Sequence, residues 1–462
     1  MKTPISLLVL LLAGCAVGPD YLRPDVTTPA AYKEAGDWKP AEPKDLSPRG
    51  SWWEIYGDAE LNMLVAQVAI SNQNVLAAAA QYRQTQAALG LAQAAYFPTL
   101  AAGLADSRGT SATTTGVTTE AAPIRNTARV SLNASWEADV WGQVRRNVEA
   151  SDATAQASDA DLRAALLSAQ ATLVQTYVQL RATEAQQRLL EQTTVAYERS
   201  LQITSNRYEA GVAGRVDVAQ AETQLKSTQA QLIDLGVQRA QLEHAIAVLI
   251  GSAPADFQLK PVAELPSLPT VPVAMPSALL ERRPDIAAAE RRMAAANALI
   301  GVAQAAFFPA LNFSATGGYQ NSGFSHLLSL PNRFWSIGPA LALTLFDAGA
   351  RSAQKESAIA GYDKSVASYR QTVLTAFQEV EDNLAALRQL KAEAEMQRLA
   401  TQSAAEALTL TENQYQAGTV SYLNVVTAQA TALGAQRSSL DITSRQLLAN
   451  VALIKALGGL WQ

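Results

Sequence analysis

Apolar residues recur along this chain with two different periods, and the switch between them occurs twice at nearly the same sequence. An Ala-rich helical pattern from about Ala59 to Ala95 closes on Gly90-Leu-Ala-Gln-Ala-Ala-Tyr-Phe-Pro-Thr-Leu100, and the run returns as Gly301-Val-Ala-Gln-Ala-Ala-Phe-Phe-Pro-Ala-Leu311. The offset, 301 − 90 = 211 residues, is too long for a solenoid and marks a duplicated structural half. Each copy stops a helix with an aromatic pair and a proline, then starts an alternation of period two. Asp58 stands where the N-cap of the first helix belongs, and Asn72-Gln-Asn74 marks a loosened turn within it.

Four alternating stretches follow, two per half. Leu100, Ala102 and Leu104 form the first; Val130, Leu132, Ala134 and Trp136, alternating with Ser131, Asn133, Ser135 and Glu137, form the second. Leu311, Phe313 and Ala315 form the third, and Trp335, Ile337, Leu341, Leu343 and Leu345 the fourth. Each is about ten residues, the length of a tilted membrane strand with one face for lipid and one for water. A soluble sheet with one buried face gives the same alternation. Polar loops, Ser107–Arg129 and Gly317–Arg333, separate the paired strands, as on the exterior side of a barrel.

A turn closes each strand pair, Asp139-Val-Trp-Gly142 and Asp347-Ala-Gly349, and very long helical pattern follows. Leu166, Leu173 and Leu180 recur every seven residues with Ala169, Thr176 and Thr183 three positions on, and Leu433, Leu440, Leu447 and Ile454 keep that spacing in the second half. These are coiled-coil seams with small partners. A helix from near Arg145 to about Gln187 is on the order of 60 Å long. Each long pattern breaks at a glycine C-cap signal, Tyr208-Glu-Ala-Gly211 and Tyr415-Gln-Ala-Gly418, which makes a hairpin tip at the end opposite the strands. Here the offset is 418 − 211 = 207, as it is for Gly251 and Gly458, so the length difference between halves lies in the strand-connecting loops.

Four strands cannot close a barrel, and open strand edges are not tolerated in lipid. A barrel of eight is filled by its own side chains, so an open duct of this strand count asks for twelve strands from three chains. The helices would continue it as a helical tube.

The first residues change the picture further. Lys2 precedes an apolar run, Ile5–Leu12, then Leu12-Ala13-Gly14-Cys15, a secretory signal ending in a lipobox. Cys15 is the chain's one cysteine, so no intramolecular disulfide forms, and Ala16 after it favours the outer membrane as destination. Cleavage leaves 462 − 14 = 448 residues, in which no segment of 18 uncharged apolar residues marks a transmembrane helix. A net charge of −5 argues against nucleic acid as a partner. No catalytic or metal constellation is present: His244 lies in a heptad-patterned helix and His326 stands alone in a loop. The Trp52-Trp53 pair docks an extended, Pro-rich N-terminal arm.

Cys15, Trp52-Trp53, Leu279-Leu-Glu-Arg-Arg-Pro-Asp-Ile286 with Ala289-Glu290, the two Gln-Ala-Ala-aromatic-Phe-Pro runs and the two Tyr-x-x-Gly tips resemble the outer-membrane factor family, in its lipoprotein, NodT or OprM-like branch related to TolC. The resemblance covers essentially the whole mature chain. It implies a mixed α and β membrane protein: a homotrimer with a twelve-stranded outer-membrane β-barrel on a periplasmic α-barrel of long coiled-coil helices. It further implies the exit step of a tripartite efflux pump, with a periplasmic adaptor and an inner-membrane transporter of the resistance-nodulation-division class as partners, outer-membrane lipid around the barrel, and no cofactor. The tips, Tyr208 to Asp217 and Tyr415 to Thr427, would constrict the duct and meet the adaptor. Some lipoprotein members gate with a Leu and an Asp one turn apart; the matching positions here are Leu423 and Thr427, the second departing from the acidic pattern. Asp217 is the nearest remaining acid, and an acid in a first helical turn is also favoured by the helix dipole alone.

The expected organisation is a signal peptide at 1–14, an N-terminal lipidated arm at 15–58, a first repeat at 59–251, a Pro-rich linker at 252–276 and a second repeat at 277–462. Export of small molecules such as drugs leads the readings. The alternatives are the outer-membrane channel of a type I protein secretion system and a non-conducting scaffold that bridges the periplasm.

Overall fold

The computed structural model describes residues 17–24, 28–29, 32–33, 51–110, 124–262, 264–269 and 282–459. The signal peptide, Cys15, positions 111–123 of the first polar loop and Leu279–Glu281 lie outside the described residues. The order is α1 (Ala59–Ser71), α2 (Gln73–Ala94), β1 (Thr99–Thr110), β2 (Ile124–Ala138), α3 (Gln143–Glu209), α4 (Arg215–Leu249), α5 (Pro284–Ala305), β3 (Ala310–Asn321), β4 (Arg333–Ala342), α6 (Ala350–Gln416) and α7 (Tyr422–Ala456). Duplication is visible in the lengths: α2 and α5 have 22 residues each, α3 and α6 have 67, α4 and α7 have 35. The helix expected to reach about Gln187 runs unbroken to Glu209, because no glycine or proline interrupts its seam before the tip.

The chain forms two compact units, each drawing on both halves. One comprises Met1–Asp25, Gln81–Ser158 and Ala288–Tyr369; the other comprises Val26–Ala80, Asp159–Ala287 and Arg370–Gln462.

The first unit holds a four-stranded antiparallel sheet in the order β1-β2-β3-β4. Thr99 pairs with Ser135, Ala128 with Asn321 and Ala310 with Ala342. Apolar alternation continues past β4 to Leu345, but the ladder stops at Ala342. The position opposite the next residue is Pro309, which has no N–H to donate, and Arg351 Nη2 takes the Thr344 carbonyl at 2.7 Å. Indoles pin the helix-to-strand junctions: Trp136 Nε1 donates to the Tyr96 carbonyl at 3.0 Å, and Trp141 Nε1 to that of Pro309 at 2.8 Å while stacking on Phe308. Asp139 accepts from the Val144 and Arg145 amides and so starts α3; Asp347 does the same for Arg351 before α6. The Arg351 side chain, 2.6 Å from Asp347, holds that carboxyl below the usual carboxylate range. Residues 17–24 lie bound to this unit. The Val17 amide donates to the Trp141 carbonyl, Arg146 pairs with Asp20 at 2.7 Å, and Gly18 packs where a Cβ would come within 2.5 Å of Gly301.

The second unit is helical. Asp58 caps α1 by accepting from the Glu60 and Leu61 amides, and Leu61, Leu64, Val65 and Val68 are buried. Ala59–Ala94 has the length and hydropathy of a membrane span, but α1 ends at Asn72. There the Asn72 side chain donates to the Leu249 carbonyl and accepts from the Asn74 and Val75 amides, which restarts the helix as α2. The coiled-coil seam is buried: Leu173, Leu180, Leu447 and Ile454 are fully enclosed, while Leu433 and Leu440 are half-buried. Trp52 is buried and meets Trp53 edge-to-face.

Arg181 is 1 % exposed and organises a polar network at this core. It pairs with Glu60 and Glu184 and donates to the Lys260 carbonyl; Glu184 in turn accepts from Arg239 and from the Val262 amide. Arg283 of the Arg-Pro-Asp-Ile run is likewise buried, donates to the Ala456 carbonyl at the end of α7 and pairs with Glu379. A cation at a helix C-terminus is favoured by the dipole. Arg181→Ala leaves Glu184 with one cationic partner, Arg239, and the Val262 amide, and is expected to cost about 3 kcal/mol. Arg163→Ala, which breaks an exposed pair with Asp159, is expected to cost less than about 1 kcal/mol. Denaturation of the detergent-solubilised protein, followed by circular dichroism, separates the two; equal losses would show that the buried network carries no extra weight.

Candidate functional site at the hairpin turns

All the tip residues singled out from the sequence fall in the second unit, where α3 turns into α4 and α6 into α7. Both turns are the same device. Gly211 has φ 75° and Gly418 φ 79°, a region open to glycine without steric cost. The Gly211 amide donates to the Tyr208 carbonyl and the Val212 amide to that of Arg207; Gly418 and Thr419 do likewise to Tyr415 and Gln414. This pairing satisfies carbonyls that a helix end otherwise leaves free. Gly251 and Gly458 end α4 and α7 in the same way, with φ 71° and 82°.

The two turns then differ. Tyr415 is buried and meets Tyr422 with ring centroids 5.3 Å apart, edge-to-face, in a cluster with Ala221 and Val425. Tyr208, its counterpart in the first half, is exposed. The Tyr422 hydroxyl lies 3.0 Å from Ser200 Oγ on α3. Burial raises the Tyr422 phenol above its ordinary range, with the Ser200 contact pulling the other way. Arg207, in the last turn of α3, lies over the Tyr415 ring at 4.7 Å and donates to the Tyr415 and Gln416 carbonyls at 3.2 and 3.3 Å. One guanidinium thus clamps the end of α6 by charge, dipole and ring face together.

The remaining candidates are engaged locally. Asp217 Oδ2 accepts from the Gly214 amide at 3.1 Å, closing the first turn of α4. Thr427 Oγ1 donates to the Leu423 carbonyl at 2.9 Å, and both side chains are exposed. Leu423 and Thr427 share a helix face, one turn apart.

Arg207 and Tyr422 were not among the sequence candidates. With the 207-residue offset of the tips, their counterparts are 207 + 207 = 414, a Gln, and 422 − 207 = 215, an Arg. Arg207 and Tyr422 thus differ between the two copies, whereas Tyr415 answers to Tyr208 and Val425 to Val218.

The family model described as "Outer membrane efflux protein" matches residues 64–252 and 275–459. The chain is 31% identical to the antibiotic efflux pump outer membrane protein ArpC of Pseudomonas putida, over 100% of this chain and 96% of that protein. It is 32% identical to the pyoverdine export outer membrane protein OpmQ of Pseudomonas aeruginosa, over 98% and 95%. Among solved structures, the outer-membrane channel OprN superposes with a TM-score of 0.89 at 31% identity, over 97% of this chain and 100% of that one.

Arg207→Ala removes two charge-assisted hydrogen bonds and a ring contact. Amide exchange at positions 415–418 is expected to quicken by about tenfold or more, the factor that ~1.4 kcal/mol of lost local stability gives. Exchange-coupled mass spectrometry reads this directly, and unchanged protection would show that Arg207 does not hold the turn.

Proposed function

The chain belongs to the outer membrane efflux protein family, and from that membership we propose that it works as the exit duct of a tripartite pump. Three copies would close twelve strands into a barrel, and the long helices would line its periplasmic continuation. The observation that carries this reading is the sheet itself. One face presents Leu100, Leu132, Trp335, Ile337 and Leu341, all more than half exposed, and both outer edges lack strand partners among the described residues. Apolar exposure on that scale suits hydrocarbon, and the free edges suit pairing with further copies.

The partners that follow are a homotrimer, a periplasmic adaptor, and an inner-membrane transporter of the resistance-nodulation-division type that selects cargo. Relatives named for antibiotic efflux and pyoverdine export favour small molecules over secreted protein. The hairpin turns would form the narrow end, with Leu423 facing its opening and Asp217 beside it, and Arg207 with the Tyr415–Tyr422 pair holding them in place.

The test uses cells that keep a compatible pump and adaptor but lack their own outer-membrane channel. Expression of this chain is expected to restore dye efflux, and Leu423→Trp or Asp217→Trp to change leakage of a large antibiotic. No restoration with trimer present in the outer membrane would point to protein secretion, no trimer would point to the scaffold, and unchanged leakage in both variants would sink the gate assignment.

Lipidation at Cys15 would anchor the arm beside the barrel. Cys15→Ala is expected to weaken membrane retention while the barrel still inserts. Complete absence of the variant from outer-membrane fractions would show that the strands alone do not anchor the protein.

A further inference from the structure

The face of the sheet opposite the apolar one carries small and hydroxylated side chains. Thr99 bonds to Ser135 at 2.8 Å, Thr316 to Asn133 at 3.0 Å, and Gly103 faces Ser131 Oγ. Ala101, Ala105, Ser314, Ser336, Gly338 and Ala340 continue the same face by strand alternation. On the exit-duct reading this is the lumen wall, and it is nearly bare.

The exceptions are charged or aromatic and sit at defined levels. Arg129 and Arg125 lie on this face of β2 toward its outer end, and Phe334 lies on it at the start of β4. Gly318, between Ser131 and Phe334 in the ladder, lies so close to β2 that a Cβ would come within 2.1 Å of the Val130 carbonyl oxygen. The Arg129 guanidinium rests over the Phe334 ring at 4.4 Å. It is half-buried, its Nε has no acceptor, and no ion pair is found for it among the described residues. A ring face fixes the orientation of a guanidinium without neutralising it. The acid on this face, Glu137, stands at the inner end of β2, eight residues away and so about 26 Å off at ~3.3 Å per residue.

We propose that Arg129, braced on Phe334 and reinforced by Arg125, forms a basic ring at the outer end of the duct that speeds the exit of anionic cargo relative to cationic cargo. The inference rests on the exit-duct reading. Its physical basis is that a ring of like charges on a low-dielectric wall concentrates counter-ions and repels co-ions. Carboxylate, sulfonate and phosphate groups share the chemistry that a positioned guanidinium attracts.

The experiment compares efflux of carboxyfluorescein, which is anionic, with that of ethidium, which is cationic, in the channel-deficient cells described above. The double variant Arg129→Gln with Arg125→Gln is expected to slow anionic efflux by about two- to fivefold and leave cationic efflux equal or faster. Arg129→Lys, which keeps the charge, is expected to restore most of the loss. Equal slowing of both dyes, or no change in either at equal trimer levels, would overturn the ring. Failure of the unaltered chain to export either dye would instead remove the exit-duct reading on which the ring depends.

Discussion

An unpaired amide or carbonyl in hydrocarbon costs several kcal/mol, and the outer edges of β1 and β4 each present a row of them. That constraint governs the first unit. It excludes the four strands from crossing a membrane alone, and it explains why the sheet keeps a strict register from Thr99↔Ser135 to Ala310↔Ala342. A slip of one residue would turn Leu132 and Trp335 toward the water-facing side and Asn133 toward lipid. The junction residues serve the same end. Trp136 and Trp141 bind the carbonyls of Tyr96 and Pro309, which belong to the turns where helix gives way to strand and where neither ladder can use them.

Much of this was legible in the sequence because it depends on local chemistry. Period-two alternation located the strands, Asp58 the start of α1, and Gly211 and Gly418 the two turns; the loosened turn read at Asn72-Gln-Asn74 within one helix is in fact the break between α1 and α2. A glycine at positive φ after a helix is a requirement of backbone geometry, so its position survives any context. The end of β4 was not legible in the same way. Apolar alternation runs on to Leu345, and what stops the ladder is Pro309, just before β3, together with Arg351 in the first turn of α6. Partners supplied from a distance leave no local signal.

The hairpin turns show the same division more sharply. Their glycines are written twice at a fixed offset, whereas the joint between them is written once. Arg207 answers to Gln414, and Tyr422 to Arg215. A duplicated turn packed against its own copy has two identical surfaces. Arg207, where the other copy has Gln414, supplies a cation for the Tyr415 ring and two carbonyls, and Tyr422, where the other copy has Arg215, supplies that ring's neighbour.

The chemistry of that joint also bears on what it can respond to. The polar gate candidates read from the sequence, Asp217 and Thr427, are engaged by their own helices. At the turns themselves, the hairpins are joined by the Arg207 guanidinium, the Tyr415 and Tyr422 rings and the Ser200 hydroxyl. A guanidinium keeps its charge at any pH a cell offers, and burial moves the Tyr422 phenol further from neutrality. Contacts of this kind do not loosen with protonation across the neutral range.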